Sequence, residues 1–176
     1  MLTKQILEKA ARIKLVIFDV DGVLTDGSLF YGDDGLEYKA FNSHDGHGMK
    51  MLQKSGVEVG IITGRTSEVV KHRMQNLNVN HVYQGQLDKL PAFNLLINKL
   101  KLDVDEVAYV GDDVVDLPIM IRVGLAITVP NGHDLVKKHS HWVCNQAGGK
   151  GAAREVCELI MQAQGNLELM FAEYLK

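Results

Sequence analysis

The chain has 176 residues, 46% hydrophobic and 23% charged, with a formal net charge of −3. That length and composition describe a globular body with its own apolar core and exclude a disordered or disulfide-stapled chain. With no basic run, and no apolar stretch near the roughly 20 residues that a bilayer requires, neither nucleic acid nor a membrane is expected as partner.

The two cysteines, Cys144 and Cys157, lack metal-type spacing. The opening segment 1–7 is too polar for a secretory leader, so both read as reduced thiols of a cytoplasmic protein. Helical patterns are expected at roughly 2–12, 47–54, 66–77, 88–100, 113–122, 132–139 and 150–163. Strand-like runs alternate with them at 14–18, 57–62, 81–84, 107–110, 124–129 and 141–144. This alternation predicts βαβ units and an α/β, Rossmann-like doubly wound parallel sheet, with the whole of 1–176 as one domain. Within 88–100, Leu90, Phe93, Leu96, Ile97 and Leu100 form an apolar stripe at helical spacing, and Pro91 falls in the first turn, where its missing N–H costs little. One segment breaks the alternation. Between 28 and 41, aromatic and apolar residues flank Gly32-Asp33-Asp34-Gly35, the pattern of a β-hairpin. A hairpin apolar on both faces must pack on the body or on another subunit. Ala147 to Gly151 reads as flexible by composition.

Three of the strands run into polar residues: 14–18 into Asp19, 57–62 into Thr63, and 107–110 into Gly111-Asp112-Asp113. In an open parallel sheet ligands bind beyond the carboxyl ends of strands, so these positions converge on one rim. A carboxylate at Asp19 can attack phosphorus and split one displacement into two. Asp21 points the same way if the chain stays extended, and can give a proton to a leaving alcohol and later take one from water. A plain Asp-x-Asp-Gly turn is the alternative. A calcium loop fits poorly, since the twelfth position counted from Asp19 is Phe30. Thr63 can hydrogen-bond a phosphoryl oxygen beside the N–H donors of a helix start, or simply cap that helix. Lys89 opens a helix, where the dipole disfavours a cation, which suggests a charge kept for an anion; a solvated lysine is the alternative. Asp112, Asp113 and Asp116 repel one another unless a cation or hydrogen bonds compensate. Magnesium suits a few carboxylates plus phosphate oxygens, while one of the three aspartates is expected to cap the next helix.

Together, and in this order, Asp19-Val20-Asp21-Gly22-Val23, Thr63-Gly64-Arg65, Lys89 and Gly111-Asp112-Asp113 with Asp116 resemble the haloacid dehalogenase superfamily of aspartate-nucleophile phosphatases. The resemblance implies Asp19 as nucleophile and magnesium ligand, and Asp21 as acid/base with its backbone carbonyl on the metal. It implies Thr63 and Lys89 on the phosphoryl group, Asp112 as the remaining metal carboxylate, and Asp113 and Asp116 orienting the cluster. The hairpin is the only insert, so no large cap domain is expected.

Further segments narrow the resemblance. The run Asp19 to Gly27, Lys39-Ala40-Phe41-Asn42, Asp45-Gly46, Ile61 to Arg65, Tyr83-Gln84-Gly85, Tyr109 to Asp113 and Gly148 to Ala152 are similar to the 3-deoxy-D-manno-octulosonate 8-phosphate (KDO 8-phosphate) phosphatases of lipopolysaccharide biosynthesis. These are capless members that assemble as homotetramers whose shared hairpins let a neighbour close each site. The chain departs at Ser43-His44 and at Lys150, where arginine is common. The substrate implied is a sugar acid phosphate, a related nine-carbon 9-phosphate being the alternative. Its carboxylate and hydroxyls require further donors, for which Asn42, Ser43, His44, Asp45, Gly46, Lys50, Arg65 and Arg73 are the candidates; a solvated helix face is an equal alternative for Arg73. A zinc triad of His44, Asp45 and His47 is a poor fit. In a phospho-accepting signalling domain the acceptor lies on a middle strand, whereas here Asp-x-Asp ends the first. In the resembled family the glycine-rich segment at 147–151 can reach a neighbour's site.

Overall fold

The computed structural model describes residues 3–176. Six strands form one parallel sheet: β1 Leu15–Phe18, β4 Glu58–Ile62, β5 His81–Tyr83, β6 Val107–Val110, β7 Leu125–Thr128 and β8 Trp142–Val143. Their spatial order is β5-β4-β1-β6-β7-β8. Two short strands, β2 Phe30–Tyr31 and β3 Glu37–Tyr38, pair separately as the expected hairpin, with Phe30 opposite Tyr38 and Tyr31 opposite Glu37. No helix among the described residues is long and apolar enough to cross a membrane.

The central strands are buried on both sides, which is why β1, β6 and β7 read as unbroken apolar runs. Alternation divides them between two cores. Val16 and Phe18 face α1 Lys4–Ala10, α2 Ser43–Lys54, α3 Glu68–Asn76 and α7 Ala152–Ala163. Leu15 and Ile17 face α4 Leu90–Leu100, α5 Leu117–Met120 and α6 Asp134–His139. Helices therefore cover both faces, the doubly wound arrangement. The expected stripe on α4 buries Phe93 and Leu96 and half-buries Leu90, Ile97 and Leu100 against that second core.

Several boundaries moved for identifiable reasons. The first helix is shorter than 2–12, and residue 2 lies outside the described residues. α2 starts four residues earlier than 47, because Asn42 caps it by accepting from the His44 N–H at 2.8 Å. The expected helix 113–122 is a 3-10 turn, Val114–Asp116, followed by the four-residue α5. A final helix, α8 Leu167–Ala172, was not expected.

The order of strands reverses on either side of β1: the chain passes to β4 and β5 on one side, then returns to β6 on the other. Such a reversal opens a crevice at the strand ends. Asp19 and Gly111-Asp112 leave the adjacent strands β1 and β6 at this crevice.

Candidate active site

The β1 ladder extends one residue beyond the strand, with the Asp19 N–H donating to Val110 O at 3.0 Å. Alternation continues too, placing Asp19 on the α4 side with Leu15 and Ile17. The condition of an extended chain through Asp21 is not met: the chain bends at Val20 and turns from Asp21 to Leu24. The Thr25 hydroxyl pins the turn, accepting from the Gly22 N–H at 3.3 Å and the Gly27 N–H at 3.2 Å. Gly22 sits at φ +90, and a Cβ there would collide with the Asp112 carboxylate. Asn131 ties the same turn to a distant segment, donating to Gly22 O at 3.0 Å and accepting from the Gly148 N–H at 2.8 Å. A side chain at Gly148 would strike Gly22 O. The glycine-rich segment is thus packed on the turn after this chain's own Asp19; its glycines permit close approach, where composition suggested mobility.

Asp116 organises the other side. It is completely buried and accepts four hydrogen bonds: from Lys89 Nζ at 2.6 Å, Tyr109 Oη at 2.7 Å, and the N–H groups of Asp112 at 3.0 Å and Asp113 at 3.1 Å. Asp113 is exposed and caps the 3-10 turn through the Val114 N–H at 2.7 Å. Lys89 is buried at the N-cap of α4, where its Nζ also lies 3.0 Å from Asp19 Oδ1. Burial works against its ammonium, but the Asp19 and Asp116 carboxylates outweigh that cost and raise its pKa. The solvated-lysine alternative is excluded. Thr63 is buried at the end of β4, its N–H on Tyr83 O at 3.0 Å. It caps no helix: α3 begins at Glu68 after an irregular loop, so helix-start donors do not stand beside Thr63.

Asp19, Asp112 and Asp116 bring carboxylate oxygens within 4.8 Å of one another. Burial, then the charge of Asp116, raises the Asp19 pKa. Burial, then the charges of Asp19, Asp116 and Asp113, raises that of Asp112 to about 7. Asp112 Oδ1 is buried with no hydrogen-bond partner among the described residues. Asp116 has spent its oxygens on four donors, which leaves Asp19 and Asp112 as the carboxylates able to take a cation. Such a donor set, oxygen-only and electrostatically overloaded, fits magnesium; a divalent charge there relieves the carboxylate repulsion that adds to burial in lifting both pKa values.

Asp19, Thr63, Lys89, Asp112 and Asp113 line a cavity of about 360 Å³ together with Asp21, Gly64, Arg65, Gln86, Leu87 and Val115, and Asp116 lies behind them. Arg65 is the one sugar-contact candidate that reaches it. Asn42, Ser43, His44, Asp45, Gly46, Lys50 and Arg73 stand elsewhere in the chain. Asp45 is buried and caps α7, accepting from the Arg154 N–H at 2.8 Å. Asn42 caps α2 and also donates to Gly149 O at 3.3 Å. Arg73 is not on a solvated face: it donates to Asn42 O at 3.2 Å, lies 5.9 Å from the Phe41 ring centroid, and packs where a Cβ on Gly46 would be. Ser43, His44 and Lys50 are exposed. A wider depression of about 880 Å³ lies at the amino-terminal strand ends. Two ion pairs line it, Lys14 with Glu106 at 2.6 Å and Arg12 with Asp105 at 3.8 Å, and none of its residues lines the cavity at Asp19.

The hairpin supplies two residues to which the sequence assigned no role. Glu37 and Lys39, two apart on one strand face, turn inward. The Lys39 side chain is 1% exposed and pairs with both Asp21 and Glu37, the latter at 2.6 Å. Glu37 Oε2 lies 3.4 Å from Arg65, which also hydrogen-bonds the Tyr31 hydroxyl. The hairpin is therefore not apolar on both faces. The inner face is a charge network over the cavity, while Leu29, Phe30, Leu36 and Tyr38 are 47–57% exposed. An i, i+2 pair of opposite charges in a predicted strand was the available signal.

A parallel sheet without a large cap, with aspartates meeting at its switch point, is the architecture of the haloacid dehalogenase-like hydrolases, whose family model matches residues 79–156. Comparison with individual relatives is more specific. The 3-deoxy-D-manno-octulosonate 8-phosphate phosphatase KdsC of Escherichia coli is 46% identical over 167 residues, 95% of this chain and 89% of that protein. KdsC of Yersinia pestis is 45% identical over 163 residues, 93% of this chain and 87% of that protein. The Moraxella catarrhalis enzyme, solved with magnesium ion, phosphate ion and a KDO molecule, superposes with TM-score 0.96 at 43% identity, covering 98% of this chain and 99% of that one. The chain belongs to the family of 3-deoxy-D-manno-octulosonate 8-phosphate phosphatases.

Proposed function

We propose that residues 1–176 act as a single magnesium-dependent phosphatase domain that hydrolyses KDO 8-phosphate to KDO and phosphate through a phosphoaspartate at Asp19. The observation that carries this reading is the meeting of Asp19, Asp21, Thr63, Lys89 and Asp112 in one cavity at the switch point. An Asp19 carboxylate oxygen attacks phosphorus, the bond from phosphorus to the sugar oxygen breaks, and Asp21 gives its proton to that oxygen. Water then attacks the phosphoaspartate, Asp21 takes the water proton, and the bond from phosphorus to Asp19 breaks to release phosphate. Lys89 and the Thr63 hydroxyl hold phosphoryl oxygens, and Asp113 and Asp116 hold the cluster in place. Asp19, Asp112 and the Asp21 backbone carbonyl are the groups that would hold magnesium, which neutralises charge on the carboxylates and the transferring phosphoryl group. Phosphate release from a panel of sugar phosphates, including eight- and nine-carbon sugar acids, with and without magnesium, tests the assignment. No release from KDO 8-phosphate would remove it.

Asp112→Ala is expected to raise the magnesium concentration for half-maximal activity by more than about tenfold, the loss typical of disturbing even a supporting group around a metal. Calorimetric titration with magnesium checks binding independently of turnover. An unchanged binding constant takes Asp112 out of the metal set.

We also propose a homotetramer in the cytoplasm. The exposed hairpin residues form more apolar surface than a monomer leaves in water, and the cavity has no cap of its own to cover a sugar. Hairpins meeting around a symmetry axis solve both problems. The two buried, unpaired cysteines suit a reducing compartment. Charged substitutions at Leu29 and Phe30 are expected to dissociate the assembly and lower activity on KDO 8-phosphate more than on a small aryl phosphate. Light scattering beside both assays decides; a wild-type monomer with full sugar-phosphate activity rejects the tetramer.

A further inference from the structure

The buried lysine of the hairpin has no role in the chemistry described so far. The Lys39 side chain reaches 18 residues back along the chain to hydrogen-bond Asp21 Oδ1. It is fixed from behind by Glu37 Oε1 at 2.6 Å. Asp21 Oδ2 has no hydrogen-bond partner among the described residues, and the cation near it, Arg65 Nε, stands 3.9 Å away. The two oxygens of Asp21 are thus inequivalent: Oδ1 is held by the hairpin, while Oδ2 accepts no hydrogen bond among the described residues, on a side chain that lines the cavity.

We propose that Lys39 is a positioning residue for proton transfer, holding Asp21 by Oδ1 so that Oδ2 is the atom that gives the proton to the leaving alkoxide and takes it from water. An ammonium has donors only, so the oxygen it holds is the poorer place for the proton. Anchoring one oxygen also fixes the carboxylate rotamer, which a side chain on a turn would otherwise explore. Glu37 serves by neutralising and orienting Lys39, with no contact to the reacting atoms. The hairpin then has a chemical role distinct from any in assembly. This inference rests on the phosphatase reading above.

Leaving-group dependence tests it. The parameter kcat/KM reports the step that forms the phosphoaspartate. An alkyl leaving group needs a proton in that step; nitrophenolate does not. The substrates are phosphomonoesters without a carboxylate, so that a role for Lys39 in binding the sugar carboxylate has no effect on the result. Lys39→Met is expected to lower kcat/KM at least about 30-fold on alkyl phosphates and less than about 3-fold on nitrophenyl phosphate, within the range general acid catalysis supplies. The charge-balanced pair Glu37→Gln with Lys39→Met should show the same pattern and guards against misfolding of the single variant. All forms are compared at the wild-type mass by light scattering. On phenyl phosphate, Lys39→Met added to Asp21→Asn should cause no further loss, because the group it positions is already disabled. Equal losses across the leaving-group series, or losses that multiply in the Asp21→Asn background, overturn the proposal. Failure of the phosphatase reading is separate: the wild-type protein would then turn over no member of the series.

Discussion

Asp19→Asn is expected to lower kcat by at least about 10⁴-fold, the scale set by removing a nucleophile from a covalent mechanism. The amide matches the carboxylate in shape but is a poor nucleophile toward phosphorus. The fold should survive. Asp19 is buried beside Asp112 and Asp116, and burial followed by the Asp116 charge already raises its pKa. Removing its charge therefore relieves repulsion in metal-free protein, and Lys89 keeps Asp116 at 2.6 Å. Thermal denaturation without magnesium should give a midpoint no lower than that of wild type. Mass spectrometry of rapidly quenched protein should find phosphorylated Asp19 in wild type and none in the variant. Near-normal turnover by Asp19→Asn, with deamidation excluded by intact mass, would sink the covalent mechanism.

The parts of the molecule legible in sequence are those where local pattern and chemistry coincide. β1, β4 and β6 are short, mostly apolar runs that stop within two residues of the side chain that enters the cavity: Asp19, Thr63 and Asp112. Strands of four or five residues, buried on both faces apart from Glu58, leave little alternative reading, and the turn from strand to rim is where a parallel sheet places polar side chains. The hairpin was legible for the same reason: Gly32 to Gly35 interrupts two aromatic runs.

What could not be read depends on contacts between segments distant in sequence. Lys39 falls in a segment that carries the resemblance, but its role depends on a partner 18 positions away. Asp45 stands among polar and glycine residues like a ligand loop, yet it caps a helix that begins more than a hundred positions later. Gly46 and Gly48 weaken the helical signal of α2, so the Asn42 cap went unrecognised. Gly148 looks mobile in composition but is required by a close approach to Gly22 O. The six-residue α8 is too short for a convincing periodicity. In each case tertiary geometry assigns a role that residue type alone leaves open.

The largest loss of stability is expected at Asp116. Four donors converge on its two oxygens, and one of them is the ammonium of a lysine that is 2% exposed. Asp116→Ala leaves the Tyr109 hydroxyl and two backbone N–H groups without their acceptor, and leaves Lys89 with Asp19 alone. Breaking a buried, hydrogen-bonded ion pair by removing one partner costs about 3–5 kcal/mol. In a chain of this size that lowers the thermal midpoint by roughly 6–20 °C. Asp116→Asn should be little better, because its amide nitrogen cannot accept and must face either Lys89 and Tyr109 or the two N–H groups. Asp113→Ala provides the contrast. Asp113 is exposed and caps a single 3-10 turn, so its loss costs only about 1 kcal/mol. Activity should follow the same order, because Asp116 fixes both Lys89 and the backbone that presents Asp112. Thermal denaturation and phosphate release on the three variants measure this. Equal midpoints for Asp116→Ala and Asp113→Ala would mean that the buried charge is relieved by rearrangement, and that Lys89 is held in place by something other than Asp116.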